Sequence, residues 1–182
     1  GGPEVGLLLG GVLGRGSLEA AARIRQKTGC RVWLDTFLPR LREGRGVPSF
    51  DPLPYFPEQA MESLSGLEHL VTAGTRPPVA FFGYQNLGIG ELLPARSKTL
   101  ALSDPATDSA PGLAALADAL EAEPWTGTAD APLPALSDGP LDPGNLGLAV
   151  AHWLPDEAIV VNEAATSGFG WGVHGRGAAP HD

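Results

Sequence analysis

The chain has 182 residues, 43% of them hydrophobic and 18% charged, and a formal net charge of -9 with a pI near 4.8. That length supports one core of ordinary size plus an appendage, and the acidic balance, with no Lys or Arg cluster, argues against partners such as nucleic acid or an anionic membrane. A single Cys30 rules out an intramolecular disulfide and any Cys-rich metal site, which fits a reducing compartment with cytoplasm as the default.

Val5 to Leu9 is a continuous apolar run ending in Gly10-Gly11, the pattern of a buried parallel strand entering a turn. Ser17 is placed to cap a helix through about Thr28, and Gly29 closes it. Arg31 to Asp35 reads as the second strand. Pro39, Pro48, Pro52 and Pro54 then forbid long regular structure, and Pro57 suits the first position of a helix carrying Ala60, Met61 and Leu64. Further strands are expected at His69–Ala73, Val79–Phe82 and Lys98–Leu102. Leu113, Leu116, Ala117 and Leu120 recur at helical spacing.

This alternation predicts an α/β fold with a Rossmann-like parallel sheet flanked by helices, because parallel neighbours need crossover connections. Residues 1–123 form that domain in this reading, and 124–141, broken by Pro124, Pro132, Pro134 and Pro140, form a linker. Residues 142–182 begin a second, truncated α/β domain. Asp142 and Pro143 start its helix, which carries Leu146, Ala149, Val150 and Trp153, and a buried strand is expected at Ala158–Val161. The Gly-rich stretch after Gly168 is expected to pack poorly. No initiator Met or basic leader opens the chain, so both ends read as cuts inside a longer protein.

The motifs offer little chemistry by themselves. Gly11-x-x-Gly14-x-Gly16 departs from the dinucleotide fingerprint and reads as a plain strand-to-helix turn, where Arg15 and Ser17 are the residues a ligand phosphate would meet. Ala165-Thr-Ser-Gly-Phe169 lacks the flanking glycines of a nucleophile elbow. The histidines at 69, 152, 174 and 181 have no metal-ligand spacing. No catalytic constellation and no metal site emerges. Thr166 and Ser167 stand out, since hydroxyls and amides just past a parallel strand suit a phosphate as well as an ordinary turn.

Three segments resemble one family. Leu53-Pro-Tyr-Phe-Pro-Glu-Gln-Ala60 and Arg76-Pro-Pro-Val-Ala-Phe-Phe-Gly-Tyr84 look like the central domain of acetolactate-synthase-like proteins. Leu154 to Gly168 looks like the opening of their C-terminal, diphosphate-binding domain, and its Asn162-Glu163 is similar to the benzoylformate decarboxylase pattern. The chain thus resembles thiamine-diphosphate-dependent enzymes of the acetolactate synthase large-subunit and benzoylformate-decarboxylase-like group.

That resemblance implies a three-domain subunit, a homo-oligomer (dimer or tetramer), a 2-oxo acid substrate, and thiamine diphosphate with Mg2+ as cofactors. It implies diphosphate contacts by the Ala165 backbone and by Thr166, with Ser167 beside it. The family's activating glutamate and its Gly-Asp-Gly metal segment do not fall within the chain, so the piece alone is expected to be inert. The missing Met-His-Gly and Arg-Phe-Asp-Asp segments count against FAD. The competing expectation is a self-standing Rossmann-like nucleotide- or partner-binding module without catalysis.

Overall fold

A computed structural model describes residues 2–83, 91–127, 132–136, 138–164 and 166–182. The chain divides into two compact units, Gly1–Arg40 with Phe50–Trp125, and Leu41–Ser49 with Thr126–Asp182.

In the first unit, strands β1 (Val5–Leu9), β3 (Arg31–Leu34), β5 (His69–Ala73) and β6 (Lys98–Ser103) make a parallel sheet among the described residues, in the order β3-β1-β5-β6. The two-residue strands β2 (Val12–Leu13) and β4 (Arg40–Leu41) lie outside it. Helix α1 (Arg15–Thr28) lies between β1 and β3, α2 (Pro57–Ser63) between β3 and β5, and α3 (Ala110–Ala119) follows β6. Leu8 and Leu70 join Trp33, Leu53, Ala60, Leu64 and Leu67 in one buried cluster. Strand alternation turns Leu7 and Leu9 to the opposite face. There α1 and α3 pack together, pinned where Arg23 donates to Asp118 Oδ1 at 2.8 Å and to the Ala122 carbonyl at 2.8 Å.

Four of the five expected runs are strands of this sheet. Val79–Phe82 is not one: only Val79 forms an isolated bridge, to Glu91, and Val79, Phe81 and Phe82 are exposed. Pro77 and Pro78 remove two N–H donors just before the run, so a ladder has little to start from. Ser17 does not cap α1. The helix starts two residues earlier behind Gly14, and Ser17 lies buried within its first turn.

The second unit holds α4 (Leu146–Trp153), α5 (Phe169–His174) and a 3-10 turn, Gly175–Gly177. Asp142 Oδ1 accepts from the Gly144 and Asn145 amides, both at 2.8 Å, and so shapes the turn into α4. Ala158–Val161 does not form the expected strand. Ala158 alone makes a bridge, to His181, while Ile159 and Val161 are 74% and 79% exposed. Three backbone bonds tie this run to residues 180–182, from Glu157 N to Pro180 O, Asp182 N to Ala158 O and Val160 N to Asp182 O, and they build a single bridge and no longer ladder.

The Gly-rich stretch, expected to pack poorly, is instead ordered into α5 and the turn. A side chain on Gly147 would place its Cβ 2.0 Å from the Gly170 carbonyl carbon, so the two helices cross backbone to backbone. Glycine here supplies packing by what it lacks. Ala178 and His181 are buried beyond it, with the His181 ring 5.0 Å from that of Trp171. Burial raises the Glu43 carboxyl above its usual range, with Arg176 and His181 acting against the shift.

Candidate functional site

The site of the first unit follows from its topology. The chain leaves β1 for β3 on one side and then crosses to β5 on the other, so the crossovers diverge between β1 and β5. Open parallel sheets leave a crevice at such a point, beyond the carboxyl ends of the strands. Here Gly10 follows β1 and Gly74 follows β5, and the Gly10 amide donates to the Ala73 carbonyl at 2.9 Å. A Cβ on Gly10 would lie 2.5 Å from the Thr75 Cβ, so the two chain segments approach as closely as backbone allows.

Two open cavities sit over this crossing. One, of about 420 Å3, is bordered by Asp35, Thr36, Thr75, Arg76 and Phe81. The other, of about 530 Å3, is bordered by Gly10, Gly14, Gly16, Ser17 and Ser109. Asp35 accepts a close hydrogen bond from the Thr75 hydroxyl, and the Asp35 amide donates to the Leu9 carbonyl at 2.7 Å. The carboxylate keeps an oxygen for a second donor. Tyr55 and Phe81 stack 5.4 Å apart at the lip, with Phe37 5.2 Å from Phe81.

Ser109 is the unusual group. It is 2% exposed and its Oγ has no hydrogen-bond partner, while Asp108 Oδ1 takes the Ala110 amide at 2.9 Å. Asp108 thus caps α3, and the Ser109 hydroxyl borders the cavity unpaired. An unpaired buried hydroxyl costs roughly 1–3 kcal/mol, a cost that a ligand oxygen would relieve. The sequence reading gave no site role to Ser109, Asp35, Thr75 or Arg76. Asp35 and Thr75 do carry a signal, since each lies just past a strand end.

The residues read from the sequence as diphosphate contacts lie in the second unit. Ala165 falls outside the described residues. Thr166 is exposed and Ser167 half-buried, in the turn before α5. Asn162 Oδ1 accepts from the Ala164 amide at 3.0 Å, and a Cβ on Gly168 would lie 2.5 Å from the Ala164 carbonyl oxygen. Gly168 thus lies close against the Ala164 backbone, and Thr166 and Ser167 each carry a hydroxyl. Their chemistry fits a diphosphate acceptor. Among the described residues no group of three His, Cys, Asp or Glu side chains is arranged to hold a metal ion, and no helix is long and apolar enough to cross a membrane.

No protein-family model matches the chain. Its sequence is 40% identical over 177 residues to a Mycobacterium tuberculosis protein provisionally described as acetolactate synthase large subunit IlvX, covering 97% of this chain. Over nearly its whole length the chain is thus similar to part of an acetolactate-synthase-like, thiamine-diphosphate-dependent enzyme. It spans 34% of that relative's length. The fold matches part of the thiamine diphosphate-dependent 4-hydroxybenzoylformate decarboxylase of Rhodococcus jostii RHA1, with a TM-score of 0.59 at 20% identity over 98% of this chain and 36% of that one.

Proposed function

We propose that this chain works as part of a thiamine-diphosphate-dependent enzyme that acts on 2-oxo acids by decarboxylation, carboligation or both, in a cytoplasmic homo-oligomer. The observation that carries the reading is the 40% identity sustained over 97% of the chain. Residues 1–123 serve as its central domain, 124–141 as a linker and 142–182 as the opening of its diphosphate-binding domain. When bound, the cofactor supplies the electron sink for loss of carbon dioxide. This chain contributes orientation: the Ala165 backbone and the Thr166 hydroxyl, with Ser167 adjacent, hold the diphosphate once magnesium and the remaining domain are in place. The 182 residues alone are inert.

Titration calorimetry with magnesium tests this. The isolated chain is expected to give no saturable heat with thiamine diphosphate, because a few hydrogen bonds worth roughly 0.5–1.5 kcal/mol each do not offset the fixing of a charged ligand in an open turn. In the protein carrying its flanking domains, Thr166→Ala should weaken the cofactor several-fold. Tight binding by the chain alone, or unchanged affinity in the Thr166→Ala protein, would remove the turn from its role.

A second reading, a Rossmann-like nucleotide-binding module, is favoured by one observation, the unpaired Ser109 hydroxyl at the glycine-lined cavity. There the amides at the start of α1 and α3 would meet a diphosphate, and Asp35, which borders the other cavity, would meet a ribose hydroxyl. On this reading ADP raises the melting temperature of the chain, and Ser109→Ala weakens ADP about tenfold through one charge-assisted hydrogen bond. No shift at millimolar ADP would exclude it.

A further inference from the structure

We propose that the outer edge of β6 is an interface at which a second copy of this chain adds its own β6, antiparallel and centred on Ala101. Among the described residues β6 is the last strand of the sheet, paired with β5 on one side. Lys98, Thr99, Leu100 and Ala101 are all exposed, Leu100 at 61%. A parallel strand in a sheet covered by helices is ordinarily apolar and buried, so this edge departs from its class.

The backbone is set for pairing. The Lys98 amide donates to the Glu68 carbonyl at 2.9 Å, which points its backbone groups toward β5. Alternation then directs the N–H and C=O of Thr99 and Ala101 outward, as far as the register shift that follows Ala101, where Leu102 is passed over and Ser103 pairs with Ala73. Such a row of outward groups is a template for another strand.

The sequence of the edge identifies the partner. Lys98-Thr-Leu-Ala-Leu-Ser-Asp104 is complementary to its own reverse. Antiparallel pairing about Ala101 sets Leu100 opposite Leu102 of the other copy, Thr99 opposite Ser103, and Lys98 opposite Asp104. Each of these is a favourable cross-strand pair, and two-fold symmetry makes each occur twice. Leu102 lies on the face covered by α3, since a Cβ on Gly112 would approach its Cγ to 3.5 Å. The exposed Leu100 would therefore gain an apolar neighbour on that face. Shifting the register by one residue sets Lys98 opposite a serine and loses the charge pairing.

Sedimentation velocity on the purified 182-residue chain tests the proposal. The chain should dimerise, Lys98→Asp should raise the dimer dissociation constant roughly tenfold by setting like charges opposite each other, and Lys98→Asp with Asp104→Lys should recover it. Ala101→Cys should form a dimer covalently under mild oxidation and release it with reductant, because the native Cys30 is buried and leaves the new thiol as the accessible one. Circular dichroism checks that each variant keeps its fold. A chain that stays monomeric at about 100 μM would overturn the proposal, as would a dimer indifferent to Lys98→Asp. Monomeric wild-type chain that pairs only with some other protein would count against it equally.

Discussion

Gly74→Val is expected to cost the first unit about 3 kcal/mol or more. Gly74 holds φ at +69°, a conformation that charges an L-residue roughly 1–2 kcal/mol. Its Cβ would also lie 2.6 Å from the Gly10 carbonyl oxygen. That oxygen belongs to backbone held by the Gly10 amide's bond to Ala73, so relief requires β1 and β5 to separate at the crevice. Overpacking of this kind adds about 1–3 kcal/mol. Gly66 provides the control, because its φ is +72° but a Cβ there meets nothing within 4 Å. Gly66→Ala should show the conformational cost alone. Urea unfolding followed by circular dichroism measures both, and a Gly74→Val chain no less stable than Gly66→Ala would show that the close approach does not constrain the fold.

The sheet was legible because buried parallel strands are written as short apolar runs closed by glycine or polar residues. Val5–Leu9 ends in Gly10-Gly11 and His69–Ala73 ends in Gly74, and both runs are strands of the sheet. Val79–Phe82 has the same apolar content for another reason: Phe81 belongs to the aromatic lip with Tyr55 and Phe37. Composition does not separate a run that feeds a ladder from one that lines a cavity. The Gly-rich stretch misled in the opposite sense. Counting side chains available for burial missed a contact, Gly147 against Gly170, in which the backbone itself is the packing surface.

The site was legible in proportion to how local its signals are. Asp35 and Thr75 follow strand ends and were readable in principle, but their meeting depends on the strand order. Ser109 was not readable. Asp108 and Ser109 are both plausible caps for the helix that follows, and only the geometry shows that Asp108 does the capping while the Ser109 hydroxyl is left unpaired at a cavity. The reading of Thr166 and Ser167 came from the family resemblance carried by Leu154 to Gly168, since spacing alone left a turn and a phosphate site equally open.

Leu70→Ala is expected to remove about 2–5 kcal/mol, the range for deleting a buried leucine side chain. Leu70 is 0% exposed on β5, between β1 and β6, in the cluster with Leu8, Trp33 and Leu64. A Cβ on Gly6 would come within 3.1 Å of Leu70 Cδ1, so the neighbouring strand is already close, but it has no side chain there to fill the space left behind. With domain stabilities of roughly 5–15 kcal/mol, that loss is a large share of the total. Leu100→Ala isolates the effect of burial from that of residue type. At 61% exposure on β6 it should change the stability of the monomer by less than about 0.5 kcal/mol. Urea midpoints at micromolar chain concentration, below the range in which copies associate, compare the two directly. Equal losses would mean that β6 carries as much of the core as β5, and the edge would then have to be treated as interior.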